Sequence, residues 1–568
     1  MTEYDLVLRG GTIIDGTGAS AFPGDVAVTN GKIVAVGEVA GTGREEIDAS
    51  GRLVTPGFVD VHTHYDGQVT WDNRLIPSSW HGVTTAVIGN CGVGFAPCKP
   101  EQHDLLIQLM EGVEDIPFPV LSAGLPWDWE TFPEYLDRLA SRRFDMDVVA
   151  YLPHAALRVY VMGERGANRE AATAQDLDSM CDLFEEALDA GALGIATSRS
   201  MFHRSSDGRS IPTFEVHETE FLALARCLKR KGKGVFQIVE DLHLPGGSFG
   251  FLRRLAEEAG RPLTFSIGCG NEGTPVWPQL LAEMRAANED GLTIKAQLMP
   301  RAIGMVLGVE LTLNPFYTTA TYAKLARKTL AERLDALRRP DVRAQILSEP
   351  VDPNPALVLG RMVRDFEHMF LLGDPPDYEQ TADRSIAALA AAAGLRPEEL
   401  AYDVLVAGES GGKLYLAMAN YPDCSLDSVG QILSHPDVVL GLGDGGAHVG
   451  TICDAGYSTY ALMQWARDRK AGRMPVEDIV RRMTGATAAL AGLADRGTIV
   501  PGLRADLNVI DFARLALAAP ELLYDMPANG RRLVQRAEGY CATLVNGEVV
   551  YRDGQPTGAL PGRLVRVG

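Results

Sequence analysis

The chain lacks any apolar run that approaches the roughly 18 residues a membrane-spanning helix needs. Its opening, MTEYDLVLRGG, has neither a basic n-region nor an apolar h-region, so no signal peptide is expected. Cysteine is sparse: eight in 568 residues, with no CxxC pair and no secreted spacing pattern. That argues against a disulfide framework and for a reduced, cytoplasmic protein, in which any special cysteine is a ligand or buried filler. Basic residues are outnumbered, 53 against 74 acidic, for a net charge of −21. Nucleic acid and anionic membrane are therefore not expected as partners, which leaves a small-molecule substrate. No internal repeat and no low-complexity tract occurs. The rest of the composition, 46% hydrophobic and 22% charged, is that of an ordinary globular protein.

The length exceeds one ordinary core, but (β/α) barrels with insertions reach it with one accessory domain. Residues 1–57 read as short strands that alternate apolar and polar, with Asn30-Gly31 suited to a tight type I′ hairpin. The end of the chain, 497–568, repeats the style, with a second hairpin signal at Asn546-Gly547. Neither piece is large enough for its own core, so the two are expected to pack as one small composite β-sandwich. Between them, over 58–496, apolar runs alternate with helical stretches: FVDVH, TTAVIG, DVVAYL, LGIATS, GVFQIV, LTFSI, LTIKAQL and VVLGLGD. Eight strands in a βαβα pattern predict an α/β fold, a (β/α)8 TIM-like barrel. The stretch 304–420 breaks the alternation. It reads as a long helical insertion covering the site, with helices such as ATYAKLARKTLAERLDALRR and RSIAALAAAAGL. Tyr317 and Tyr322 within it are candidates to line a lid, and the aromatic run at 125–139 reads as a helix entry packed on the barrel.

The stretch TPGFVDVHTHYDG, from Thr55, carries the chemistry. Side chains alternate faces on a strand, so Asp60, His62 and His64 point the same way. On barrel strand 1 that side is the interior at the C-terminal mouth, where two imidazoles one residue apart can hold a divalent metal. The plain alternative is a pair of loop histidines. Cys91, in GVTTAVIGNCGVG, follows the next apolar strand in a glycine-rich turn and is either a thiolate ligand or an inert buried cysteine. Asp444, in HPDVVLGLGDGGAHVGT, ends the last apolar run and is positioned as general base and then acid, or as a turn aspartate. His448, in the same segment, is a supporting site group or a satisfied structural histidine. In TSRSMFHRSSDGRSIPT, Arg199 or Arg204 can clamp a substrate carboxylate, with His203 beside them; solvated loop charges are the alternative. Lys295, a charge in an apolar strand, either faces the mouth or pairs structurally.

Taken together, the segments PGFVDVHTH, GVTTAVIGNCGVGFAPC, LPHAALR at 152–158, GALGIATS at 191–198 and GLGDGGAH at 441–448 resemble the amidohydrolase superfamily. More narrowly they are similar to its N-acyl-D-amino-acid deacylase (D-aminoacylase) branch, over most of the chain outside the insertion. The resemblance implies a barrel beside a small β-sandwich and metal-activated water attacking an amide carbonyl. It assigns His62, His64, Cys91 and Asp444 as metal ligands, Asp444 also as proton shuttle, and His154 as a site histidine that polarises the carbonyl or orients a ligand. It implies one or two divalent ions, zinc first, with manganese or iron open. The pattern departs at strands 5 and 6, where the branch carries further histidine ligands. Gln237 stands at the first position, TFSI offers no good ligand at the second, and His243 and Cys269 lie nearby out of register. A metal-dependent hydrolase of a small N-acyl amino acid is the leading expectation. A single-metal relative acting on a cyclic amide, lactone or C–C bond, and a non-catalytic binding subunit, are the alternatives. Large barrels of this kind often pair through their helices, so a homo-oligomer is also expected to be considered.

Overall fold

The computed structural model describes residues 3–242, 248–350 and 362–568. Its centre is α/β. Parallel strands run β1 (Phe58–Asp60), β2 (Val83–Ile88), β3 (Asp147–Ala150, resumed at Leu152–Pro153), β4 (Gly194–Ser198), β5 (Val235–Val239), β6 (Leu263–Ile267), β7 (Ile294–Leu298) and β8 (Val438–Leu440). The first three form one sheet. The resumed part of β3 opens a second, which continues through β4, β5, β6 and β7 to β8. Tyr151 N donates to the Ile88 carbonyl at 2.9 Å and Leu193 N to the Ala150 carbonyl at 2.8 Å, which stitches the two sheets at β3. At the outer edges, Thr63 just past β1 bridges in parallel to Gly445 just past β8. All eight apolar runs are strands. Every residue of β2, β3 and β4 is buried, as suits strands covered on both faces.

The connecting helices start and stop where capping chemistry dictates. The four used below are α1 (His103–Glu114), α2 (His154–Met162), α3 (Ala174–Asp189) and α4 (Glu218–Lys231). Thr173 opens α3 with a capping box: its hydroxyl accepts from Asp176 N at 3.2 Å, and the Asp176 carboxylate accepts from Thr173 N at 2.8 Å. Met180, Phe184, Ala187 and Leu188 then recur at helical spacing and are buried. Among the described residues, no helix is long and apolar enough to cross a membrane.

The two chain ends share one nine-stranded sheet. Leu53–Pro56 pairs antiparallel with Leu507–Ile510, so the N-terminal and C-terminal pieces are hydrogen-bonded neighbours. Asn30-Gly31 and Asn546-Gly547 all have positive φ, between 51° and 78°, as the hairpin reading requires. A buried ion cluster ties this sheet to the central strands. Asp147 of β3 lies 2.6 Å from Arg496 Nη1 and 2.8 Å from Arg504 Nη2, and Arg504 Nε lies 3.2 Å from Asp506. Asp147→Ala would remove the buried carboxylate that Arg496 and Arg504 share, leaving them Asp495 and Asp506. It is expected to cost about 3–5 kcal/mol, read as a lowered urea midpoint with an unchanged slope; an unchanged midpoint would remove the cluster from the account.

The insertion departs from the all-helical expectation. Ile303–Gly308, Met369–Leu371 and Lys413–Ala419 form a three-stranded antiparallel sheet. Helices pack on it around Leu307, Phe316, Leu334, Tyr402 and Leu416, a core of its own. The single helix expected over ATYAKLARKTLAERLDALRR is two, Ala320–Leu325 and Leu330–Leu337. Thr329 restarts it as an N-cap, its hydroxyl accepting from Glu332 N at 3.3 Å. Tyr322 is buried in that core, its hydroxyl accepting from Asn314 Nδ2 at 2.8 Å, so it does not line a lid.

Candidate metal centre

Three elements converge just beyond the C-terminal ends of β1, β2 and β8. His62 and His64 follow β1 and are buried. Asp60 Oδ1 accepts from His62 N at 3.1 Å, which fixes the backbone between them. After β2 the chain turns sharply through Gly89, Cys91 and Gly92, with φ of 83°, 56° and 71°. Glycine is needed at 89, where a Cβ would come within 2.5 Å of the Tyr151 carbonyl. Asn90 Nδ2 clamps the turn to both strands through the Thr63 and Val87 carbonyls, at 3.2 and 2.8 Å. Beyond β8, Leu442, Asp444 and His448 all hold positive φ. A Cβ at Gly443 would meet Asp60 Oδ2 at 2.3 Å, so the glycines here serve close approach. Such left-handed non-glycine residues cluster at sites where strain is held for function.

His62, His64 and Cys91 each offer a donor within 4.8 Å of the others, and Asp444 faces the two imidazoles. His62 Nε2 lies 3.3 Å and His64 Nε2 3.8 Å from Cys91 Sγ. Asp444 Oδ1 lies 3.7 Å from His62 Nε2 and 3.6 Å from His64 Nε2. Tetrahedral coordination with bonds of about 2.0–2.3 Å sets neighbouring donors roughly 3.3–3.8 Å apart. The donor set, two imidazoles, a thiol and a carboxylate, fits a divalent transition metal such as zinc.

Partners behind the ligands complete the fit. His62 Nδ1 donates to Gln297 Oε1 at 2.8 Å, and Gln297 Nε2 donates to Thr264 Oγ1 at 3.1 Å. This fixes the tautomer and leaves His62 Nε2 bare toward the donor cluster. Glu114, the last residue of α1, places Oε1 3.2 Å from His64 Nδ1 and Oε2 3.5 Å from His448 Nε2. Both Glu114 oxygens, and one each of Asp60 and Asp66, are buried without a hydrogen-bond partner among the described residues, as a cluster built around a cation would leave them. Burial pushes Glu114 up to about 7, Asp60 to about 8 and the Cys91 thiol to about 12, and lowers His62 to about 4. Burial alone would raise Asp444 too, but the His64 hydrogen bond and the nearby imidazoles hold it below the usual carboxylate range.

The other expected site residues divide. His203, on the loop after β4, has a buried Nδ1 without a partner among the described residues. Burial and the charges of His448, His64 and His62 lower it to about 3. His448 joins the centre through Glu114. Arg199 lies 3.3 Å from Glu240 and 4.5 Å from the Phe251 ring, and keeps 30% of its side chain exposed. Arg204 spends its guanidinium on the Met201 and Gly208 carbonyls of its own loop, at 3.2 and 3.0 Å, so it is not free to clamp a substrate. Lys295 is corrected: its amine pairs with Asp437 at 2.5 Å, both at the N-terminal ends of β7 and β8, away from the metal centre. His154 is corrected too. Its Nδ1 meets Thr197 Oγ1 and its Nε2 meets Glu220 Oε1, both at 2.9 Å, and Arg158 completes that buried network. Gln237 is buried with both amide atoms unpartnered among the described residues. Cys269 turns to Asn420, and His243 lies outside the described residues.

The chain matches the amidohydrolase family over residues 45–551. It is 27% identical over 567 residues to the D-aminoacylase of Alcaligenes xylosoxydans xylosoxydans, covering 99% of this chain and 97% of that one. It is 27% identical over 572 residues to the N-acyl-D-aspartate deacylase of the same organism, covering 100% and 96%. A solved D-aminoacylase, studied for one-metal activation and second-metal attenuation of its binuclear centre, superposes with a TM-score of 0.66 at 25% identity and covers 99% of both chains. The HxH pair after β1, the aspartate after β8 and a match running from the first sheet to the last thus lead to one conclusion: the chain belongs to the amidohydrolase family.

Proposed function

We propose that this protein is a metal-dependent hydrolase that cleaves the C–N amide bond of a small N-acyl amino acid, of the D series first. The observation that carries the reading is the convergence of His62, His64 and Cys91 donors within 4.8 Å of one another, with Asp444 Oδ1 3.7 and 3.6 Å from the two imidazoles. The eight parallel strands are read as a closed (β/α)8 barrel over 58–496, with 304–420 inserted, beside a β-sandwich from 1–57 and 497–568. The Thr63–Gly445 bridge supports closure, and His64 N reaching the Gly445 carbonyl at 2.8 Å adds to it. D-series selectivity is supported by the names of the two relatives, a D-aminoacylase and an N-acyl-D-aspartate deacylase.

His62, His64, Cys91 and Asp444 would hold one divalent ion, zinc first. When bound there, such an ion supplies Lewis-acid polarisation of an amide carbonyl and acidifies water. The chain's own residues do the rest. Asp444 takes the proton from the attacking water at a carboxylate oxygen and returns it to the leaving amine nitrogen. Gln297 and Glu114 hold the two imidazoles in register, and His203 and His448 face the substrate. One ion is favoured over two because β5 and β6 present Gln237, Thr264 and Ser266 rather than imidazoles, and Cys91 joins the His62–His64 pair.

The test is release of amine from N-acetyl-D- and N-acetyl-L-amino acids by zinc-loaded protein. Free amino acid with acetate, from the D series first, is the expected outcome. Zinc-loaded protein that releases amine from neither series would overturn the reading.

A further inference from the structure

Two thiols away from the metal centre meet on neighbouring helices. Cys181 lies in α3 and Cys227 in α4. Both sulfurs reach one acceptor, the Ala223 carbonyl, at 3.8 Å from Cys181 and 3.4 Å from Cys227. Arg230, one turn after Cys227, places Nη2 3.1 Å from Cys227 Sγ and is held there by Glu185 of α3, 2.7 Å from its Nε. Cys227 is buried, whereas Cys181 is half-buried, so a small solute reaches Cys181 first.

We propose that Cys181 and Cys227 form a peroxide-reactive thiol pair, in which Cys181 attacks and Cys227 resolves the product to a disulfide. The neighbouring Cys227 thiol, and then the Arg230 guanidinium, lower the Cys181 thiol against the opposing effect of burial. The neighbouring Cys181 thiol and burial raise Cys227. Cys181, lowered and half-buried, is therefore the thiol of the pair that ionises and meets solute first, and the thiolate is the nucleophile. It attacks one oxygen of hydrogen peroxide. The O–O bond breaks, that oxygen stays on sulfur as a sulfenic acid, and the other leaves as hydroxide and is protonated to water. Cys227 sulfur then attacks the sulfenic sulfur, the S–S bond forms, and the sulfenic oxygen leaves as a second water. Each sulfur has lost one electron and peroxide has taken both. The closed loop contains β4 and the segment that carries His203, so the cross-link tethers one wall of the metal centre.

The test exposes zinc-loaded protein to one equivalent of hydrogen peroxide, then alkylates it and maps peptides without reductant. The expected product joins the Cys181 and Cys227 peptides and is lighter by two hydrogens. It is absent from Cys227→Ser, in which a dimedone adduct accumulates on Cys181 instead. Cys541, the other half-buried cysteine, is an internal reference, since burial raises its thiol. At pH 7, iodoacetamide is expected to label Cys181 roughly tenfold faster than Cys541, an advantage that Arg230→Gln reduces. This comparison is made within wild-type protein, so it stands even where a variant fails to fold. Cys181 labelling no faster than Cys541, or peroxide products on Cys181 with no link to Cys227, would overturn the proposal.

Discussion

Asp444→Asn is expected to keep its fold and its metal while kcat falls by about 10²–10⁴-fold, the range that a general acid–base group supplies. Asparagine tolerates the left-handed backbone that residue 444 adopts, with φ of 45°. Its carbonyl oxygen still faces His62 and His64, where Asp444 Oδ1 now lies 3.7 and 3.6 Å away. What it lacks is an oxygen that takes a proton from water near neutrality and hands it on to an amine. The carboxylate is held below its usual range by the imidazoles around it, so it stays ionised and ready to accept across the neutral range. Steady-state kinetics on the best N-acyl amino acid, with metal analysis of the same preparation, checks this. Near-full turnover with normal metal content would remove Asp444 from the chemistry.

Glu114→Gln carries the second large effect. Glu114 touches no substrate; it stands behind His64 at 3.2 Å and behind His448 at 3.5 Å. A carboxylate facing the far nitrogen of an imidazole ligand raises its basicity, and losing such a group is expected to weaken metal binding by about 10–100-fold. The amide keeps the shape of the side chain but removes the charge, so circular dichroism should match wild type while competition with a chelator shows the weakened affinity. A merely structural role would give the reverse: unchanged metal affinity and a lower melting temperature.

These two residues also mark what a sequence does and does not disclose. Asp444 is legible because it ends an apolar run and enters a Gly-Gly turn, and the strand-end position carries its meaning. His62, His64 and Cys91 are legible for the same reason. Glu114 is not. It closes an amphipathic helix like many others, and its meeting with His64 and His448 depends on where α1 lies across the ends of the strands. His154 errs in the other direction. Its place after β3 suggests a site role, yet Thr197 and Glu220, the latter 66 residues downstream, occupy both ring nitrogens. Lys295 shows a simpler limit. Strand alternation gives the face but not which end of the strand matters, and Asp437 captures the amine at the end away from the centre. The parallel strands were readable because short apolar runs between well-capped helices admit few arrangements. The insertion was not, because Ile303–Gly308 and Lys413–Ala419 pair across more than a hundred residues and nothing local announces that pairing.

The central claim is a single metal centre to which Cys91 belongs. Elemental analysis of wild type, His62→Ala and Cys91→Ala, each purified without added metal, tests it most directly. About one equivalent in wild type, lost from both variants, is the predicted result, since His62 Nε2 and Cys91 Sγ stand 3.3 Å apart in one donor set. Two equivalents in wild type, with one retained in Cys91→Ala, would contradict it: Cys91 would then serve a separate centre with ligands of its own.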